Sequence, residues 1–480
     1  MELFEVLLDP RVLAFVALGT LLGVYVGAIP GLSGTMAVSL LVSLTYTWSE
    51  TSAISLMMGV FVGAVFGGSR PAILLNIPGA PAAVATGFDG YPLAKKGRAA
   101  EAMGVSTVQS FLGTLIGIAA LAFLAPQIAK LSLYFKSADY LLLGLMALLL
   151  VGSVSRGSML KGVIGALFGL LLGMVGNTSQ FSVNRFTGGL AYLNGGVSFI
   201  VAMIGLLGAS EALYQIGTTT PPIPQNTPKR ILPKLRVVLH HLPLTLQSAL
   251  IGVFVGALPG AGGDVAALLS YDVAKRTVRK NEVPFGEGAI EGVIAPETAN
   301  NAAIGGALIP MLTLGIPGDA VTAVLLGALC MRGWRSMTLM RDDPHLFYLI
   351  LGCLLFASVC LLVFGLTGIR LFVKILKVPK GILMPVILVL CMVGAYAINT
   401  NVYDIILMLQ FGVVGFLCKR FRYPVAPVVL GVILRELLES NAIRVALAKG
   451  SACSILTPFL AAAFLALLVL GVLQGRRRRT

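Results

Sequence analysis

A chain of 480 residues with 57% hydrophobic side chains, 11% charged ones and a mean hydropathy of +0.94 cannot build a water-soluble surface, since soluble domains carry about 25% charged residues. Its net charge of +15 does not mark a nucleic-acid binder, because Lys and Arg lie in short loops between apolar runs and not on one polar face. Six cysteines without CxxC spacing and three scattered histidines (His240, His241, His345) form no metal-ligand pattern. No cofactor, no metal and no nucleic-acid partner are therefore expected.

Crossing a hydrocarbon core of ~30 Å takes ~20 apolar residues. In chain order the apolar runs are 11–29, 52–66, 103–125, 138–155, 159–176, 197–217, 243–258, 345–373, 380–398, 403–417 and 452–474. With further stretches interrupted by Gly and Pro, they predict an all-α polytopic membrane protein of roughly 10–14 spans. Glu2, Glu5 and Asp9 precede the first run, where a cleavable signal would be basic, so that run is expected to stay. Basic clusters at Lys95, Lys96 and Arg98, at Lys229 to Arg236, at Lys275 to Lys280, at Lys419 to Arg422 and at Arg476 to Arg479 mark cytoplasmic loops and a cytoplasmic C-terminus.

The chain repeats itself. Gly23-Val-Tyr-Val-Gly-Ala-Ile-Pro-Gly-Leu-Ser-Gly34 runs in step with Gly252-Val-Phe-Val-Gly-Ala-Leu-Pro-Gly-Ala-Gly-Gly263. Gly67-Gly68 followed by Asn76-Ile-Pro-Gly79 then matches Gly305-Gly306 followed by Gly315-Ile-Pro-Gly318. The organisation that results is a first repeat over 1–217, a polar, proline-rich connecting loop over 218–242, and a second repeat over 243–480. The loop after the first motif is Thr47-Trp-Ser-Glu-Thr51 in one half and Lys275-Arg-Thr-Val-Arg-Lys280 in the other, which predicts opposite sides of the membrane and hence inverted topology. Arg332, Arg335 and Arg341, only partly balanced by Asp342 and Asp343, fit that pattern less cleanly.

Pro and Gly stop a helix inside the membrane, leaving unpaired N–H groups at one half-end and carbonyls at the other. The first suits a carboxylate and the second a cation. Paired breaks in two halves point to a transporter's binding site. The expected substrate-binding residues are Gly31, Ser33, Gly34, Thr35, Arg70, Asn76, Pro78 and Gly79, with Gly260, Gly262, Asn301, Thr313, Pro317 and Gly318 in the second half. The ion-binding candidates are Ser33, Thr35, Asn76, Asn300, Asn301 and Thr313. Glu291 and Glu297, ionisable groups in apolar sequence, are placed at the aqueous entrance, or else cap helices or pair with Lys275 or Arg276. Arg70 either grips a solute carboxylate or neutralises Asp264 or Asp319.

At these segments the chain resembles the large permease subunit of the tripartite tricarboxylate transporters. The motifs are Gly63-Ala-Val-Phe-Gly-Gly-Ser69; Ile73-Leu-Leu-Asn-Ile-Pro-Gly79 running on to Asp89-Gly-Tyr-Pro92 and Lys95-Lys-Gly97; and Gly286-Glu-Gly-Ala-Ile-Glu-Gly292 through Ala295-Pro-Glu-Thr-Ala-Asn-Asn301 to Thr313-Leu-Gly-Ile-Pro-Gly318. The resemblance implies a secondary transporter of the bacterial inner membrane, importing a small carboxylate by symport with Na⁺ or H⁺. It implies two partners besides the lipid bilayer, a small four-span membrane subunit and a periplasmic solute-binding protein. Arg70-Pro71, Asp264 and Asp272 depart from the family pattern, which has uncharged or small residues there. A stand-alone transporter or a channel is the alternative, although no single run carries the continuous polar stripe of a channel, and the few acids lack the spacing of an intramembrane enzyme's catalytic set.

Overall fold

The computed structural model describes residues 6–29, 32–154, 159–177, 183–216, 235–278, 283–334, 344–368, 380–448 and 452–477. Gly31, most of the connecting loop, Arg279 with Lys280, Arg335 to Asp343 and the final Arg478 and Arg479 lie outside these residues.

Asp9, accepting from Arg11 N with Pro10 at the first helical position, starts α1 (Pro10–Ala28). Ser33 caps α2 (Gly34–Leu44) and Ser49 caps α3 (Glu50–Gly67), which passes through Gly68 into α4 (Ser69–Leu75). Next come α5 (Ala83–Leu93), a wide turn over 94–98, the long α6 (Ala99–Ser132), α7 (Ser137–Val154) and α8 (Met159–Gly173). A two-residue antiparallel ladder, Gly176–Asn177 against Asn184–Arg185, is the one departure from an all-helical chain among the described residues. The rest is helical: α9 (Phe199–Ile216), α10 (Leu235–His240), α11 (Leu242–Gly256), α12 (Gly262–Thr277), α13 (Glu291–Leu314), α14 (Ala320–Met331), α15 (Pro344–Thr367), α16 (Lys380–Asn399), α17 (Val402–Arg420), α18 (Val425–Leu447) and α19 (Thr457–Arg477). Seven helical stretches among the described residues are long and apolar enough to cross a membrane, and six shorter apolar helices accompany them. The protein is thus a polytopic, all-α membrane protein.

Glycines set the central packing, because in lipid close backbone approach replaces hydrophobic exclusion from water. A Cβ on Gly19, Gly23 or Gly27 of α1 would stand 2.2–2.4 Å from the carbonyl oxygens of Leu56, Val60 and Ala64 on α3. The second half repeats the contact: Gly252 and Gly256 of α11 meet Ala299 O and Ala303 O of α13, and Gly306 meets Val253 O as Gly67 meets Val24 O. On its other side α13 is gripped by α6, where Gly113 and Gly117 meet Thr298 O and Ala302 O. Enclosed in this way, every residue of α13 from Glu291 to Thr313 is buried. That explains how its polar Glu297, Thr298, Asn300 and Asn301 avoid lipid.

The breaks correspond as well. Asn76 (φ 58°) and Gly315 (φ 68°) are left-handed caps ending α4 and α13. After each, an Ile N–H bonds back to a helix-interior proline carbonyl, Ile77 to Pro71 and Ile316 to Pro310. The following glycines seat against the opposing backbone, Gly79 against Gly27 O and Gly318 against Gly256 O.

Candidate functional site

The residues expected to bind solute fall into three groups. Ser33 caps α2 by accepting from Met36 N at 3.1 Å, and Gly34 lies so near α3 that a Cβ would be 2.8 Å from Ala64 Cβ. Thr35 follows, half-buried. In the second half Gly260 and Gly262 are left-handed, at φ 76° and 58°, where a Cβ is disfavoured. Gly262 abuts Asp319, and Gly263 lies against Asn300 Oδ1. Asn300 joins the two break regions, its amide donating to Val65 O at 3.3 Å, next to the Ala64 that faces Gly34. The N-terminal tips of α2 and α12 therefore approach one asparagine on α13. The third group sits at the ends of α4 and α13: Asn76 and Pro78 are exposed, Gly79, Pro317 and Gly318 are buried in packing, and Thr313 bonds to Ile309 O in its own helix.

About one helical turn from Asn300 toward the start of α13 lies Glu297. It is not at an aqueous entrance: it is 2% exposed, because α6 and α5 close over it. Its carboxylate accepts from Thr86 Oγ1 on α5 at 2.5 Å and from Ser106 and Ser110 Oγ on α6 at 2.9 Å each. Three hydroxyl donors and no acceptor in this set suit the ionised form. Asn301, one turn on, donates to Glu297 O at 2.9 Å, leaving its Oδ1 buried without a partner. Gln109 accepts from Thr245 and Thr298 at 2.9 Å, and its Nε2 is likewise unpaired. Buried, unsatisfied polar atoms beside a carboxylate leave room in the hydrogen-bond inventory for a guest cation or water.

Arg70, 1% exposed, belongs to this cluster. Its guanidinium donates to Met103 O at 3.0 Å and Thr107 Oγ1 at 2.7 Å, and lies 4.1 Å above the Phe66 ring. No carboxylate lies within ion-pair distance of it among the described residues, so the expected pairing with Asp264 or Asp319 is not seen; Glu297 reaches it only through its field. Asp319 is engaged in a capping box with Thr322 at the start of α14. Glu291 lines an open pocket with His240 and His241 and bonds His241 at 3.2 Å, not Lys275 or Arg276; Arg276 pairs with Asp272.

Sequence reasoning named Glu297 but missed Ser106, Gln109 and Ser110. A signal was there, since Ser106, Ser110 and Thr114 recur every fourth position in an apolar run and so share one face of α6. Asp89 was quoted in a motif without a role. Its Oδ1 accepts from the N–H groups of Gly286, Gly288 and Ala289, each at 2.8 Å, and its Oδ2 from Tyr271 Oη at 2.8 Å. Gly286 and Gly288 have φ of 93° and 104°, and a Cβ on Gly292 would stand 2.0 Å from Asp89 Oδ2. The glycines of the 286–292 motif thus shape a cradle for a carboxylate of the other half.

The model of the family described as "Tripartite tricarboxylate transporter TctA family" matches residues 13–430, a span containing all of these groups. The chain is 34% identical over 474 residues to an uncharacterized 52.8 kDa protein in the TAR-I ttuC' 3' region of Agrobacterium vitis, covering 96% of this chain and 93% of that one. It is 37% identical over 218 residues to an uncharacterized protein in the TAR-II ttuC' 3' region of the same organism, covering 45% and 90%.

Proposed function

Because the chain belongs to the tripartite tricarboxylate transporter TctA family, a family of transporters and not of enzymes, we propose that it is the large permease subunit of an ion-gradient-driven symporter in the bacterial inner membrane. Its solute is a small carboxylate delivered by a periplasmic binding protein, and a small four-span subunit completes the assembly.

The observation that carries this reading is the place of Asn300, touching the α12 tip and bonded to α3 beside the residue that faces the α2 tip, one turn from the buried Glu297. Helix N-termini present N–H groups and a positive dipole end, which favour a carboxylate. Glu297, with the unpaired Asn301 Oδ1 one turn away, offers oxygen ligands to Na⁺ or a place for H⁺. Solute anion and coupling cation would then lie near one another on α13, each favouring the other's binding. Inverted repeats agree with the contacts at the two ends. Arg332, at the end of α14, donates to Thr45 O and Trp48 O near the start of α3. The start of α13 is tied to the end of α5 through Asp89, and Lys96 donates to Glu287 O at 2.8 Å. The loop after α2 of half one thus sits with the end of α14 of half two, and the end of α5 of half one with the loop before α13.

The test is uptake of a labelled carboxylate panel in cells expressing the chain with the small subunit and binding protein encoded beside it. Accumulation above the external concentration, collapsed by a Na⁺ or H⁺ ionophore, is expected. Equilibration without accumulation would instead indicate a channel.

A further inference from the structure

Away from the central site, a cavity of about 580 Å³ opens at the end of α6 far from Lys95, Lys96 and Arg98. The α6–α7 turn, the last turns of α18 and the segment entering α19 enclose it. Ala138 N bonding to Ala452 O, and Thr457 Oγ1 to Asp139, hold these pieces together. Two exposed cations line it, Lys136 and Arg444, and neither has a carboxylate within ion-pair distance among the described residues. Asn441 also lines it, 1% exposed. The Asn441 amide donates to Leu437 O at 2.8 Å, while Oδ1 is buried with no donor. The cavity therefore offers two positive charges and one buried acceptor that lacks a hydrogen. Leu447, which lines it, is 69% exposed, and Leu133, Tyr134 and Ile455, within three residues of lining residues in the chain, are exposed too, as befits a surface that meets acyl chains.

We propose that this cavity is a phospholipid headgroup site. The phosphodiester lies between Lys136 and Arg444, and a headgroup hydroxyl donates to Asn441 Oδ1. An anionic lipid with a hydroxylated headgroup, phosphatidylglycerol, meets both demands. Phosphatidylmethanol carries the charge without the donor, and phosphatidylcholine has neither net charge nor donor.

Native mass spectrometry of the purified full chain, titrated with each lipid and with inorganic phosphate, tests this. Phosphatidylglycerol should bind most tightly, ahead of phosphatidylmethanol, with phosphatidylcholine weakest. Lys136→Gln with Arg444→Gln should weaken phosphatidylglycerol roughly 30-fold, at about one kcal/mol per cation near a membrane surface. These exposed positions should leave the lipid-free melting temperature unchanged. Asn441→Leu should remove the preference for phosphatidylglycerol over phosphatidylmethanol while keeping the charge dependence. Equal binding of all three lipids, or no loss in the double variant, would overturn the proposal. Phosphate competing as well as the lipid would reduce it to a simple anion site and overturn the lipid assignment.

Discussion

Glu297→Gln is expected to abolish accumulation of solute and to destabilise the protein. The substitution preserves shape but removes the charge to which three hydroxyls donate and whose field reaches the buried Arg70. The new amide keeps one acceptor oxygen but sets an NH₂ donor where the other stood, facing either Thr86 or the Ser106 and Ser110 pair, whose hydroxyls donate there. Hydrogen bonds to a charged group are worth about 1.5–3 kcal/mol, and their loss is to be read as a fall in thermal stability of the detergent-solubilised protein. Adding Arg70→Gln removes the second charge and should recover much of that stability, because the two effects are coupled and not additive. Transport should stay lost in the double variant, since no carboxylate remains for the coupling ion. If the double variant accumulates solute as well as the parent does, the cluster is only structural.

Asp89→Ala should loosen the junction of the two halves. It strips the acceptor from three backbone N–H groups and the Tyr271 hydroxyl. Gly286 is solvent-exposed and can turn to water, but Gly288 and Ala289 are buried. Each buried unsatisfied donor costs about 1–3 kcal/mol, so about 3–5 kcal/mol in total is expected. The effect should concentrate at residues 283–291, where hydrogen exchange and proteolytic cleavage should quicken before the rest of the chain responds. Asp89→Asn keeps the Oδ1 acceptor and should be milder. Wild-type exchange in this segment for Asp89→Ala would show that the cradle does not hold the start of α13.

Much of the fold was legible because the membrane imposes a simple rule on lipid-facing helices. The apolar runs reappear as helices with ends displaced by a few residues, such as 138–155 as Ser137–Val154 and 403–417 as Val402–Arg420. The same rule hides α13. A helix enclosed by other helices need not be apolar; it needs small residues for close approach, and its Gly, Ala, Asn and Thr read as interruption, not as a span. The breaks were legible too, because Pro and Gly act locally: Asn76 and Gly315 turn left-handed where the duplicated Ile-Pro-Gly begins. What the sequence does not display is partnership across distance. Glu297 meets hydroxyls 187 to 211 residues away, and nothing local distinguishes it from Glu291 six positions earlier. For Arg70, depth in an apolar run correctly demanded compensation, but Asp319 was unavailable because its own helix start uses it.

The central claim is that solute binds around Asn300, which touches the α12 tip and bonds to α3 beside the residue that faces the α2 tip. Its most direct test places one cysteine there, Ser33→Cys, in a chain whose six native cysteines are replaced by alanine, with maleimide labelling followed in membrane vesicles. The transported carboxylate should slow labelling saturably, with half-protection at the concentration that half-saturates uptake, and should leave a lipid-facing control, Leu246→Cys on α11, unaffected. Labelling of Ser33→Cys that proceeds at the same rate with and without saturating solute would contradict the claim.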